Sequence, residues 1–266
     1  LSFKCDFKVI VVDNCSTDDS YCTLKHRYDN NESVDIVRTQ SNCGYSSGNN
    51  YGIRYASDKY NIDSVAIMNP DVIIPNSSVL ENLVELLWRY EDCLAVGGQP
   101  YNHLNEDKNF VQVVSRFSLL SSGEDMTLGP EIEPNVFKTD CIVGCFFIAK
   151  LSAFMEIGLF DESVFLYNEE NILGKKCKQA GLSLLIDNSQ LYQHNHAFRQ
   201  SNTKSLPSKL IGESFSYKSR RYLVSKYYSP ILILPLAFIG LANYLIIIAG
   251  HIKHSELFNR AKRNQV

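Results

Sequence analysis

Lys8 to Ser20 reads KVIVVDNCSTDDS. A β-branched run, Val9-Ile10-Val11-Val12, stops abruptly at Asp13 and gives way to a cluster of turn-forming residues. This is the profile of a buried parallel strand with a polar loop at its carboxyl end. Ser16 or Thr17 is placed to N-cap a helix beginning near Asp18, with acids in its first turn. The rest of the first hundred residues repeats the alternation. VDIVRT (Val34–Thr39) reads as a second strand, and NCGYSSGNNYGIRYASDKY as a glycine-rich loop leading into a helix. VAIMNPDVII is a third strand broken at Asn69-Pro70-Asp71. SVLENLVELLWRYED (Ser78–Asp92) puts Leu80, Leu83, Val84 and Leu87 on one helical face, and LAVGGQP supplies another strand. Such alternation predicts an α/β fold, a Rossmann-like and mostly parallel sheet with helices on both faces. Sheets of that kind bind ligands at the carboxyl ends of their strands.

Tyr101 to Pro134 is polar and irregular, as a surface loop would be. Order resumes at DCIVGCFFIAK (Asp140–Lys150), followed by a short helix. NILGKKCKQAG reads as a helix closed by Gly181, and LSLLID and SQLYQHNH as strand-like pieces. The character changes after about residue 200. The spacing divides the chain into a globular domain over 1–204, a basic linker or helix over 205–228, and a hydrophobic segment with a basic tail over 229–266.

The bulk composition is that of an ordinary globular chain, 45% hydrophobic and 21% charged with a formal net charge of −3 over 266 residues. No basic excess or nucleic-acid motif is present, so no nucleic-acid partner is expected. The eight cysteines contain no C-x-x-C and complete no zinc set, and read as reduced thiols.

Several clusters carry possible chemistry, each with a plainer alternative. Asp13-Asn14 at a strand end suits a nucleobase or ribose, or simply satisfies a turn. NCGYSSGNNYG lets a phosphate or sugar approach the backbone, but fits neither G-x-G-x-x-G nor the Walker pattern, and is equally a tight strand-to-helix turn. Asp71 in MNPDV suits a hard divalent cation shared with phosphate oxygens, or an Asx turn. Glu169 and Glu170, adjacent after the apolar Val164-Phe165-Leu166-Tyr167, suit a general base raised by burial and mutual repulsion, or two acids at a helix N-terminus. His194 and His196 share one face of a strand, as metal ligands or as surface residues.

In order, these pieces resemble the inverting family 2 glycosyltransferases, nearest to the rhamnosyl- and galactofuranosyl-transferase-like members of bacterial polysaccharide assembly. The resemblance covers roughly Lys8 to Ser201. It implies a GT-A fold, a nucleotide-sugar donor linked to UDP or dTDP, and a divalent metal, Mg2+ or Mn2+. Asp13 matches the acid contacting the donor base. Asn42, Gly44, Gly48 and Asn49 match the loop shaping the nucleotide-sugar pocket. Asn69 and Asp71 fall on the D-x-D-like motif, with Asp71 binding the metal. Gly144 and Cys145 match the turn beside the acceptor. Glu169-Glu170 match the acidic pair whose second member is the base, and His194 the histidine that helps hold metal or diphosphate. The implied reaction is inverting transfer of a rhamnose- or galactose-like sugar to a saccharide or lipid-linked saccharide.

The sequence departs from that family at three places. The strand and helix that normally come first are absent, which implies a truncation of about two dozen residues, the size of a strand–helix unit. The base is Glu where Asp is usual, and Asn69 leaves a single carboxylate in the metal motif. A catalytically inactive domain serving in binding or assembly is therefore the alternative, and a nucleotidyltransferase a third, weakened by the lack of Lys or Arg in NCGYSSGNN. Ile231 to Ala249 is uncharged and would extend about 28 Å as a helix, near the minimum for a bilayer span. With basic residues on both sides it is expected to attach the chain to the cytoplasmic face of the cell membrane, as a span or as an interfacial helix.

Overall fold

The computed structural model describes residues 6–101, 129–194 and 205–263. Most of the expected Tyr101–Pro134 loop, together with Asn195 and His196, lies outside the described residues.

The first unit follows the sequence closely. β1 (Val9–Asp13) leads through α1 (Ser20–Tyr28) to β2 (Val34–Arg38), and the two strands pair in parallel from Val9–Val34 to Asp13–Arg38. The helix starts two residues later than expected, with the Asp18 carboxylate accepting from the Ser20 amide at 3.0 Å. β1 is less buried than its composition predicts. Val9 is exposed and Ile10 to Val12 are half-buried, because among the described residues β2 is the strand's only ladder partner.

The larger sheet holds seven strands: β3 (Ser64–Met68), β4 (Val72–Ile73), β5 (Cys93–Tyr101), β6 (Glu131–Glu133), β7 (Val136–Thr139), β8 (Phe146–Lys150) and β9 (Ser183–His194). Their order is β3-β8-β5-β9-β7-β6, with β4 paired to β9. Here the expected mostly parallel sheet is corrected. Only β5–β9 is parallel, and the other pairings are antiparallel. Parallel neighbours need a crossover connection, and β7 and β8 are not reached through a helix, so β8 inserts antiparallel between β3 and β5. One consequence matters for chemistry. The carboxyl ends of β3 and β9 and the start of β8 share a single sheet edge.

Helices cover both faces, as expected. α3 (Ser77–Arg89) packs Val79, Leu83, Leu86 and Leu87 against Val96, Phe146, Ile148 and Leu185. On the other face α2 (Tyr45–Lys59), α4 (Leu151–Glu156) and α5 (Glu169–Gln179) place Ile53, Phe154, Leu173 and Cys177 over Ala95, Phe147, Ala149 and Leu184. Alternation along β8 sends Phe146 and Ile148 one way, Phe147 and Ala149 the other. A register shift between Cys93 and Ala95 breaks that alternation, so Leu94 and Ala95 serve the same core. The pieces expected as two strands, LSLLID and SQLYQH, form one twelve-residue strand, β9, irregular opposite Gly98–Gln99.

The basic segment forms α6 (Leu206–Tyr227), N-capped by the Ser205 side chain, and after a short 3-10 turn α7 (Ile233–Arg263) doubles back along it. The contacts Tyr217–Gly240 and Glu213–Asn243 show the antiparallel register.

α5 packs so closely at Gly174 that a Cβ there would lie 1.9 Å from the Asp140 carbonyl oxygen. Helix propensity alone favours Gly174→Ala by about 1 kcal/mol. The steric conflict is with backbone and cannot be relieved by a rotamer change. Gly174→Ala is therefore expected to lower stability by about 1–3 kcal/mol, read as a fall in the urea midpoint with an unchanged slope.

Candidate active site

Two groups of side chains converge on the shared sheet edge, joined by α2. The first surrounds the end of β1. The buried Asp13 carboxylate accepts from the Ser16 amide at 3.2 Å and pairs with Arg38 at 3.1 Å. The plain turn chemistry is thus satisfied, and Arg38, unremarked in the sequence, adds a fixed charge. Asn14 donates to the Asn42 side chain at 3.1 Å and the Gly44 carbonyl at 2.9 Å, and accepts from Thr39. Asn42 in turn accepts from the Gly44 amide. A Cβ on Gly48 would meet the Asn14 side chain at 3.2 Å, so the helix lies tightly against this turn. Asn49 is used locally, donating to the Tyr45 carbonyl.

The loop before α2 and the first turns of α2, residues 42–50, also grip the segment that carries the acids. Gly44 has φ +94°, and a Cβ would fall 2.1 Å from the Phe165 carbonyl oxygen, which accepts from the Tyr45 amide at 3.0 Å. Asn50, fully buried, donates to the Phe160 carbonyl and to Glu162 while accepting from the Phe160 amide. Tyr167 and Asn168, both at positive φ, then turn the chain sharply into α5.

The second group forms where α5 meets the sheet. Glu169 is buried, and its Oε1 accepts no hydrogen bond among the described groups. Its carboxyl is pushed up to about 7, first by burial and then by the Glu170 charge. Glu170 is half-buried and lies against Gly144, where a Cβ would come 2.1 Å from its Oε1. The Tyr45 hydroxyl donates to the Gly144 carbonyl at 2.6 Å. Its phenol is held far above its usual range, chiefly by burial and then by the Glu170 and Glu169 charges. Cys145 Sγ sits 3.2 Å from the Tyr192 hydroxyl. Burial raises this thiol to about 11, with Glu170 and Asp71 both contributing.

Asp71 is reached through the β3–β4 break. The Asn69 amide donates to the Cys145 carbonyl at 2.8 Å, and Val72, next to Asp71, pairs with His194 across the β4–β9 ladder. His194 Nε2 and Asp71 Oδ2 are 3.4 Å apart. Among the described residues no group of three or more His, Cys, Asp or Glu side chains is gathered for a metal. One carboxylate and one imidazole remain, a donor set suited to a divalent cation that takes its other ligands from phosphate oxygens and water.

The structure thus brings Asn69, Asp71, Gly144, Cys145, Glu169, Glu170 and His194 to one edge, with Asp13, Asn42, Gly44 and Gly48 at the neighbouring turn. Sequence reading missed Tyr45 and Asn50. Both stand inside the glycine-rich loop, where the glycines drew the attention. Their roles rest on partners about a hundred residues away.

Similar proteins bear on this arrangement. The chain is 29% identical over 161 residues to the low-salt glycan biosynthesis hexosyltransferase of Haloferax volcanii, covering 60% of this chain and 50% of that one. It is 26% identical over 208 residues to the N-acetylglucosaminyl-diphospho-decaprenol L-rhamnosyltransferase of Mycobacterium tuberculosis, covering 70% and 66%. The chain therefore spans about half of the first relative and just under two thirds of the second. Among solved structures, GalNAc-T7 with UDP, GalNAc and Mn2+ superposes with a TM-score of 0.60 at 13% identity, over 82% of this chain and 41% of that one. The mannosyltransferase PcManGT of Pyrobaculum calidifontis, in complex with GDP-Man and Mn2+, gives 0.54 at 14% identity, over 97% and 71%. The shared architecture is the GT-A fold. Residues 2–155, more than half the chain, match the sequence model of the family, and the protein belongs to glycosyl transferase family 2.

Proposed function

We propose that this chain catalyses inverting transfer of a hexose, rhamnose- or galactose-like, from a UDP- or dTDP-linked donor to a saccharide or lipid-linked saccharide acceptor. The setting is surface polysaccharide synthesis at the cytoplasmic face of the cell membrane. One observation carries the reading. The Glu170 carboxylate lies against Gly144, and the Asp71–His194 pair follows Asn69, whose amide donates to the carbonyl of Cys145, the residue after Gly144, so that acid, carboxylate and imidazole share a single sheet edge. The names of the two relatives support a hexosyl- or rhamnosyl-transferase, and the Mn2+ with UDP and GalNAc in one solved structure and with GDP-Man in the other support the donor class.

Glu170 takes the proton of the acceptor hydroxyl. The freed oxygen attacks the anomeric carbon from the face opposite the diphosphate, the glycosidic oxygen–carbon bond to the diphosphate breaks, and the nucleoside diphosphate departs. A single base suffices, since no covalent glycosyl-enzyme forms. A divalent cation held by Asp71 and His194 would supply Lewis-acid stabilisation of the departing charge. Asp13, Asn14 and the 42–49 loop bind and orient the nucleotide end of the donor, and Gly144 and Cys145 bound the acceptor side.

The two adjacent acids divide the work by burial. Glu169, interior and close to the Glu170 charge, is pushed up to about 7, which leaves the half-buried Glu170 as the member placed to meet an acceptor. The folded value of Glu169 lies above its ordinary 4.5. The native state therefore binds more protons than the unfolded chain between those values, and stability falls as pH rises through that window. Glu169→Gln removes this term. The loss of stability between pH 5 and 8, on the order of 2 kcal/mol for a shift of this size, should flatten in the variant when urea midpoints are followed across pH.

Calorimetry with UDP and dTDP, with and without Mn2+, tests the donor site. Metal-dependent binding of one nucleotide should appear in the wild type and disappear in Asp71→Ala. Failure of well-folded protein to bind either would sink the enzymatic reading. Glu170→Gln should lower kcat by about 10²–10⁴-fold while nucleotide affinity is retained. An equal loss in both would mean that Glu170 holds the donor rather than activating the acceptor.

A further inference from the structure

We infer that α7 lies in the plane of an anionic bilayer surface, with its outer face in the lipid, and does not cross the membrane. The inference rests on the membrane association proposed above and decides its form. By length and composition alone, Pro230–Ile252, with a mean hydropathy of 2.5, is apolar enough to span. Its packing argues otherwise.

The first part of α7 lies alongside α6. Leu236 is buried, the Tyr217 ring closes on Gly240, and Asn243 donates to Glu213 at 3.0 Å. α6 is in turn fastened to the globular body. Ser219 donates to the Leu166 carbonyl at 2.7 Å, Tyr222 and Lys226 both reach Asp161 at 2.7 Å, and Phe215 stacks on Phe165. A perpendicular α7 would carry Glu213, Lys218, Arg220 and Arg221 of α6 into hydrocarbon at the same depth, a large cost for each charge. The apolar stretch left beyond this pairing runs from Tyr244 to Ile252. It extends about 14 Å, half of a hydrocarbon core of about 30 Å, and Lys253 follows it.

The outer face suits a surface instead. Leu234, Phe238, Leu241, Leu245, Ile248 and Ile252 are exposed at spacings of three and four, on the opposite side of the helix from Leu236, Gly240 and Asn243, and Ile246, exposed beside them, widens the apolar face. The charge complements anionic headgroups. Residues 205–266 carry nine Lys and Arg against two Asp and Glu, whereas residues 1–204 carry seventeen against twenty-seven. A basic, one-sided helical hairpin under an acidic body orients itself on a negative surface.

The test uses the full chain with sealed vesicles of equal parts phosphatidylcholine and phosphatidylglycerol. Single thiols at Ser229→Cys and Ser255→Cys bracket the apolar stretch, in a background where Cys5, Cys15, Cys22 and Cys43 are Ser. Both are expected to react equally with a membrane-impermeant maleimide added outside. Flotation should weaken several-fold on pure phosphatidylcholine and at least tenfold in Phe238→Lys/Leu245→Lys, with the thermal unfolding of the body unchanged. Reaction of Ser255→Cys only after detergent would show a span and overturn the inference while leaving membrane association intact. Absence of wild-type flotation on either vesicle would overturn the association itself. A dimer without lipid that the double variant converts to monomer would give the stripe to a second copy of the chain, and would also overturn it.

Discussion

The grip of the α2 N-terminus, residues 42–50, on the 160–168 segment organises everything around it. Phe165 offers its carbonyl to the Tyr45 amide because Gly44 has no Cβ to block the approach, and Asn50 spends its whole amide on the Phe160 backbone and Glu162. These are buried contacts between segments more than a hundred residues apart. Breaking one side would strand its partner without a hydrogen bond, at a cost of about 1–3 kcal/mol. The same grip fixes the start of α5 and hence the direction of both acids. The turn around Asp13 and the acids of α5 are thereby held by one set of contacts.

A large share of this was legible in the sequence, and the physical reasons for the successes and failures differ. The strand–turn–helix of residues 8–28 and the Asn69–Asp71 break are local features, written in β-branching and turn chemistry within a few residues. Gly181, at φ +73° after α5, is of the same kind. The direction of strand pairing is not local. Alternating strands and helices predicted parallel neighbours, and that expectation holds for β1–β2 and β5–β9. It fails where β8 enters without a helical crossover. The burial of β1 was also misjudged, since composition records what a strand can bury and not how many neighbours it has.

The candidate site divides in the same way. Each singled-out residue bears a side chain whose chemistry is visible in isolation, or a glycine whose lack of one is. Tyr45 and Asn50 became visible only in three dimensions, because what matters is the carbonyl each one finds. The structure also separates the adjacent acids. The sequence presents Glu169 and Glu170 as equivalent, whereas the geometry buries the first, with its Oε1 unbonded among the described residues, and sets the second against Gly144.

The fastening of Asp161 by Tyr222 and Lys226 carries a consequence in time. Burial pushes the Asp161 carboxyl up, but the bonds from Lys226, Ser163 and Tyr222 outweigh it and hold it well below the usual range, so this is a strong anchor. Two of its donors, Tyr222 and Lys226, belong to a helix made after every residue of the candidate site. During synthesis, at about 5–20 residues per second, the segment before α5 is complete in sequence before anything exists to brace it. The brace arrives only a few residues ahead of the apolar helix. The ribosome thus delivers the brace and the apolar helix almost together, and a nascent chain has little opportunity to hold one without the other.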